Sequence, residues 1–376
     1  MTEFFAYDEL TWPEVSILPR GIPLILPLGK PEDLPILAMA LGNPSRAGLL
    51  PPFPFGWQGS AIEVPPSLLS AYVSNIFSGL HEDGFSNLAI CLPDYITISI
   101  PAYITRLPIT APGSAPFPPD SEHGKVILLP IGHTEQHGHH LPLSTDTIII
   151  EAISQCTAAA IPYEAYTLPV MPYGVSMHRS SFAGTLSAGG RAFEDFWMAV
   201  VDTLVTRSPN PGFDRFYFLN GHGGNTSFLT NIVKYAGDQH KRIFCATAFL
   251  YLSGTKGIAT LEKYRRSPLG GMGHACELET SLVLHLRPEL VHMERVVDET
   301  DFVCSPSYYM DWIEGGALVA NPPWEDDTTT GAYGAGSLAT AEHGKLWLDA
   351  AVAEKIEHVG EIHEQYRRRE ARRHLR

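Results

Sequence analysis

The chain has 376 residues, 44% apolar and 18% charged, a balance that supports one large globular domain or two smaller ones. A formal charge of −15, with no Lys/Arg cluster interleaved with aromatics, argues against a nucleic-acid partner. No apolar run approaches the roughly 18 residues needed to cross a bilayer. The acidic start MTEFFAYDEL lacks a secretion signal's apolar core, and five scattered cysteines suggest reduced thiols, so a cytoplasmic protein without membrane contact is expected.

Residues 1–106 form a first part that ends at LPITAPGSAPFPPD, whose five prolines and absent periodicity predict a linker over 107–124. From Lys125 onward, short β-branched or aromatic runs alternate with longer amphipathic segments. Val126 to Ile131 reads as a buried strand, Asp146 to Ala160 as a helix and Tyr166 to Met171 as a second strand. A helix follows from about Gly190 to Arg207, then a strand from Arg215 to Leu219, a helix from Ser227 to His240 and a strand from Arg242 to Leu250. A last helix starts near Ser337 and runs into an Arg-rich tail, 363–376, expected to fray in solvent. Such alternation implies crossover connections and a layered α/β/α fold with a mostly parallel central sheet, which places sites at the carboxyl ends of strands.

The first part echoes the front of the second. Leu26-Pro27-Leu28-Gly29 parallels Leu129-Pro130-Ile131-Gly132, and Phe53-Pro54-Phe55-Gly56 parallels Met171-Pro172-Tyr173-Gly174. Val64 to Leu68 then lies against Phe182 to Leu186, and Gly84-Phe85 against Gly212-Phe213. Residues 1–106 therefore read as a shortened, degenerate half-repeat, against the alternative of chance similarity between strand-rich stretches.

Chemistry concentrates in three segments. Gly132-His133-Thr134-Glu135-Gln136-His137-Gly138 follows a strand directly, and Glu135 and His137, two apart in extended backbone, point the same way. Asp146 opens the next helix, where a short loop can return it to that pair. Two carboxylates and an imidazole converging on one point call for a cation, unless the loop is merely His-rich surface. Asn220-Gly221-His222-Gly223-Gly224-Asn225 ends another strand, with glycines that allow close approach and His222 as its coordinating side chain. In Gly273-His274-Ala275-Cys276-Glu277-Leu278-Glu279, a helix starting at His274 would put His274 and Glu277 on one face. Glu279 would point elsewhere, where an acid can simply favour the helix N-terminus.

The runs LLPIGHTEQHGHHLPLSTDT, MPYGVSMHRSSFAGTLS, NGHGGN, HACELETS and GAYGAGSLATAEHGK resemble, in order and spacing, the signature segments of the creatininase family. The resemblance covers about 125–362, and TWPEV at Thr11–Val15 looks like the family's usual opening. It implies a creatininase-like layered fold, hydrolysis of C–N bonds in a small-molecule amide, and a homo-oligomer. Two divalent ions per chain are implied, of Zn, Mn or Fe. Glu135, Asp146 and His222 match ligands of one ion, and His137 a ligand of the other, with Asp146 bridging. Gly224 stands where creatininase has a further glutamate, which puts creatinine in doubt as substrate and leaves Glu277 to fill the place. His274 matches the histidine that handles protons, with Glu279 orienting it or capping the helix. Ala183 replaces the family's proline in its turn, a change expected to be tolerated. In the first part Glu32 stands opposite Glu135, but Leu34 faces His137 and Asp94 faces His222, so no catalytic metal is expected there.

The expected function is a metal-dependent amidohydrolase using metal-activated water. Its rivals are a peptidase trimming a small modified peptide and a non-catalytic metal-binding subunit.

Overall fold

In the first part β1 (Glu3–Ala6) precedes α1 (Trp12–Ser16), followed by β2 (Leu24–Pro27), α2 (Leu34–Ala40), β3 (Arg46–Leu49), α3 (Pro66–Glu82), β4 (Leu88–Cys91) and β5 (Ile104–Leu107). The strands build a five-stranded parallel sheet in the order β1-β3-β2-β4-β5. The second part alternates β6 (Val126–Ile131), α4 (Thr145–Ala160), β7 (Ala165–Thr167), α5 (Gly190–Thr206), β8 (Arg215–Asn220), α6 (Thr226–Gln239) and β9 (Phe244–Thr247). Its strands form a four-stranded parallel sheet, β7-β6-β8-β9. After α7 (Thr255–Tyr264), the antiparallel pair β10 (Met272–His274) and β11 (Tyr333–Gly334) brackets α8 (Glu277–Leu286), and α9 (Ala341–His374) closes the fold. The structure, a computed structural model, describes residues 2–29, 33–93, 95–107, 118–176, 181–207, 212–313 and 315–375.

Every residue of β2 and β6 is buried, as in parallel strands covered on both faces. Alternation divides their side chains. Leu24 and Leu26 share one core with Ile127, Leu129 and the facing residues of α3 and α5. Ile25 points the opposite way, onto Leu37 of α2. Val126 and Leu128 face a core built with α4, α8 and α9. The molecule is thus two layered units that share a central helical layer, α3 against α5.

The parallel between the two parts reaches single hydrogen bonds. Leu24 pairs with Leu88 as Ile127 pairs with Phe216, and Ile25 with Leu49 as Leu128 with Thr167. The Gly29 N–H donates to Phe53 and the Gly132 N–H to Met171, each over 2.9 Å. After the paired helices, Phe85 donates to Leu80 (3.1 Å) and Phe213 to Leu204 (3.0 Å). The buried faces also correspond: Leu69, Tyr72, Val73, Ile76, Phe77 and Leu80 on α3 occupy the same pattern as Phe193, Phe196, Trp197, Val200, Val201 and Leu204 on α5.

Some expectations need revision. The strand expected over Tyr166–Met171 ends at Thr167, because Pro169 has no N–H for the ladder; the chain rejoins β6 at the Met171–Ile131 bridge. The strand expected over Arg242–Leu250 is confined to Phe244–Thr247. The Arg-rich tail is helical as far as His374 and most of its arginines are exposed, while Arg369 lies over the Phe244 ring and Arg373 bonds the Lys241 carbonyl. Most of the expected linker lies outside the described residues, as do Glu32 and Asp94. TWPEV belongs physically with the second part, since Leu143 and Ser144 donate to the Leu10 and Asp8 carbonyls and the Trp12 indole donates to Thr330.

Candidate metal centre

Three strand ends deliver the site. β6 runs into Glu135 and His137, β8 into His222, and β10 ends on His274. Gly132 lets the first turn of α4 dock against β6, because a Cβ there would lie 2.5 Å from the Thr147 Cα; Asp146 arrives with that turn. Glu135, His137, His222, His274 and Glu279 are at most 5% exposed, and Asp146 is as buried.

The side chains converge. His222 Nδ1 lies 2.9 Å from Glu135 Oε1 and 3.1 Å from Asp146 Oδ2, and His137 Nε2 lies 3.2 Å from Asp146 Oδ1. His274 Nδ1 stands 3.9 Å from Glu135 Oε1. Glu279 comes from the first turn of α8 to within 4.8 Å of His137 and Asp146 ligand atoms. Three carboxylates and three imidazole-bearing side chains, His137, His222 and His274, therefore face one small volume.

Backbone carbonyls settle which ring nitrogens carry protons, since a carbonyl only accepts. His137 Nδ1 donates to Glu135 O (3.1 Å), His222 Nε2 to Val175 O (3.1 Å) and His274 Nε2 to Gln136 O (2.7 Å). Each ring thus turns its other nitrogen toward the carboxylates, where it can carry a second proton or offer a lone pair to a cation. Metal-binding histidines show this outward N–H bond as a rule. With protons as the only counter-charge the cluster is strained electrostatically. Burial alone would lower the His222 pKa, yet Glu135 and Asp146 push it up to about 9. Burial would raise Asp146, but His137 and His222 hold it below the usual carboxylate value. Divalent cations fit this donor set of oxygen and imidazole without thiolate.

Glu277 does not join the cluster. The chain is a strand at His274 and turns helical only at Glu277, so the two do not share a helical face. The Glu277 carboxylate accepts the backbone N–H groups of Arg266 (3.0 Å) and Ser267 (2.7 Å) and serves to hold that loop. Nor is there a vacancy at Gly224 to fill: a Cβ there would lie 2.2 Å from Val175 O and 2.5 Å from His222 Nε2. The hydrogen bond that orients His222 occupies the space. Glu279 supplies the third carboxylate, while also accepting from the Cys276 N–H (3.5 Å) as the helix cap.

The sequence left two neighbours unread. Gln136 positions His274 through its carbonyl and fastens itself by its amide to Gly331 O (2.9 Å). His133 groups with Glu135 and His222, but its Nδ1 accepts the Gly174 N–H (2.9 Å). In the neutral ring the proton is then on Nε2, 3.9 Å from Glu135 Oε2, so His133 turns an N–H rather than a lone pair toward the cluster. Both lie inside the motif already singled out, but their partners are 41 or more residues away.

The creatininase family model, described as creatinine amidohydrolase, matches residues 117–359. The mycofactocin precursor peptide peptidase of Mycobacterium ulcerans is 33% identical over 180 residues, 45% of this chain and 62% of that protein, so less than two thirds of that relative is spanned. The creatinine amidohydrolase of Pseudomonas putida is 30% identical over 241 residues, 60% of this chain and 85% of that protein. A solved creatinine amidohydrolase (creatininase) superposes with a TM-score of 0.52 at 25% identity, covering 64% of this chain and 91% of that one. A manganese form of creatininase gives 0.52 at 24% identity, with 64% and 92% covered. Taken with the parallel sheets flanked by helices and the His/Glu cluster, these matches place the chain in the creatininase family of amidohydrolases.

Proposed function

We propose that the chain hydrolyses the C–N bond of a small amide, cyclic amide or formamide at a divalent-metal centre held by Glu135, Asp146, Glu279, His137 and His222. The supporting observation is the convergence of three buried carboxylates with two imidazoles whose outer N–H groups are already bound to backbone carbonyls. One or two ions of Zn, Mn or Fe suit that set. A divalent cation there would polarise the substrate carbonyl and acidify water.

The chain's own groups supply the rest. His274, held through Nε2 by Gln136 O, presents Nδ1 to the site, where it can take a proton from the attacking water and pass it to the departing nitrogen so that it leaves as amine. Trp324 stands edge-on to the His274 ring, 5.7 Å between centroids, and limits its rotation. A second reading, cleavage of a small modified peptide, is favoured by the 33% identical relative named as a peptidase. The test is a screen of cyclic amides, formamides and short peptides with metal-loaded protein. Turnover that chelation removes and divalent ions restore is expected. Turnover that survives complete metal removal would refute the proposal, and a peptide-only profile would select the second reading.

A further inference from the structure

Above the charged floor of the site lies a small, open cleft of about 70 Å³, room for the reacting group, with any larger substituent left to lie along its mouth. Its upper lining is of another character from the floor: Phe249 and Leu250 after β9, and Met310 and Trp312 from a long connection between α8 and β11. That connection, residues 298–331, has little regular structure among its described residues, a single 3₁₀ turn at Trp324–Asp326. A segment so irregular needs fasteners to hold a fixed shape over a site.

The fasteners are present. At its start, the Glu299 carboxylate takes the Thr329 N–H (2.9 Å), the Thr330 N–H (3.1 Å) and the hydroxyls of Thr328 and Thr330. Burial would raise the Glu299 pKa, but those hydroxyls and amides bring it to about 2, so the clasp stays charged at any ordinary pH. In the middle, buried Asp311 accepts two parallel bonds of 2.6 Å from Arg265 and the Gly270 N–H at 2.7 Å. The adjacent Trp312 N–H donates to the carbonyl of Met272 (3.0 Å), the first residue of β10, which ends on His274. The indole is then propped from behind by Tyr251, 4.8 Å between centroids, and Phe249 stands 6.5 Å away. Trp312 itself remains partly exposed and Phe249 is 50% exposed, so both keep apolar surface toward solvent.

We propose that Trp312, with Met310 and Phe249, forms a recognition wall for a neutral aromatic or apolar group attached next to the scissile C–N bond. The proposal rests on the reading of the floor as a metal centre and names the substrate class that such a floor would receive. Among the described lining residues there is no Lys or Arg to pair with a substrate carboxylate, and the Arg265 guanidinium behind Asp311 is bound to it. A flat apolar group, by contrast, gains contact with the indole face at no electrostatic cost.

Hydroxamates, which chelate divalent ions, probe floor and wall together without knowledge of the natural substrate. Calorimetric titration of the metal-loaded full chain with benzohydroxamate and acetohydroxamate should show a preference for the aromatic probe of about tenfold. Trp312→Ala should bring the ratio of the two affinities toward unity, while Trp312→Phe should keep most of it; circular dichroism checks that both variants remain folded. Asp311→Asn, which weakens the clip without touching the wall, should lower the ratio part of the way. Equal affinities in the parent chain, or an undiminished ratio in Trp312→Ala, would overturn the wall. Failure of both probes to bind would overturn the metal-centre reading instead, and the wall with it.

Discussion

The two parts of the chain share a backbone plan and differ in chemistry. Strand order β3-β2-β4-β5 in the first matches β7-β6-β8-β9 in the second, with the same pairing register. Register depends on alternating apolar residues that must reach the correct face, and both parts keep that pattern. Ligands sit on loops beyond the strands, where a change leaves register untouched, and there the parts diverge. Opposite His137 stands Leu34, exposed at the start of the seven-residue α2, where the second part has the sixteen-residue α4.

The parts also face each other through equivalent surfaces. Tyr72 of α3 and Phe196 of α5 occupy matching positions and meet with ring centroids 4.9 Å apart. Phe55 stacks on Phe196 at 6.3 Å, and in mirror fashion Tyr72 donates to the carbonyl of Tyr173, the residue matching Phe55, over 2.6 Å. Such reciprocity is the mark of an interface between two copies related by a two-fold axis, here within one chain. The comparison teaches that the first part supplies a packing partner for α5.

Deleting residues 1–120 tests that conclusion most severely. It would strip α5 of the cover over Phe193, Phe196 and Trp197, and insoluble or dissociated protein is the expected result by size-exclusion chromatography. A soluble, fully active truncation of unchanged assembly size would make the first part an appendage. His222→Ala should abolish turnover and cut metal content while circular dichroism stays native, because the repeat shows that this framework does not depend on its ligands. Wild-type metal content in that variant would remove His222 from the site.

Tyr72→Ala should cost about 3–5 kcal/mol in denaturant unfolding, as a large buried ring at the axis is lost. Tyr72→Phe should cost about 1 kcal/mol for the single hydrogen bond to Tyr173. A negligible cost for Tyr72→Ala would show that the halves are held elsewhere. The smallest contrast lies within α8. Glu279→Gln should lower metal content, whereas Glu277→Gln should leave it near the parent value and cost about 1–3 kcal/mol of stability at the Arg266–Ser267 loop. Metal loss in Glu277→Gln but not in Glu279→Gln would restore the assignment made from the motif.

Periodicity was sufficient for β6, which spans Val126–Ile131 as expected, and for α4, α5 and α6 to within a residue or so. It was insufficient where a single residue or a distant contact decides an end. Pro169 shortens β7, and the long α9 continues through its arginines because Glu370, Lys241 and the Phe244 ring give them partners. The Gly-rich loop pointed to His222, but Gly224 read as an empty ligand position, since nothing local reveals that Val175 O lies there.

Sequence by itself determined the parallel layered framework, the half-repeat pattern and the motif residues Glu135, His137, Asp146 and His222. These depend on local order: strand and helix periods, glycines at strand ends and side chains two apart. Tertiary structure alone decided which glutamate of the HACELET segment faces the cluster, which nitrogen of His222 and of His274 meets a carbonyl, and what lines the mouth. A carboxylate's direction at a helix start depends on where the helix begins, and here β10 pairing with a strand some sixty residues later delays that start to Glu277. The His222 and His274 tautomers depend on the carbonyls of Val175 and Gln136 in other loops, and the wall depends on an Asp311–Arg265 pair 46 residues apart. No local rule encodes contacts at such separations; they exist only once the chain has packed.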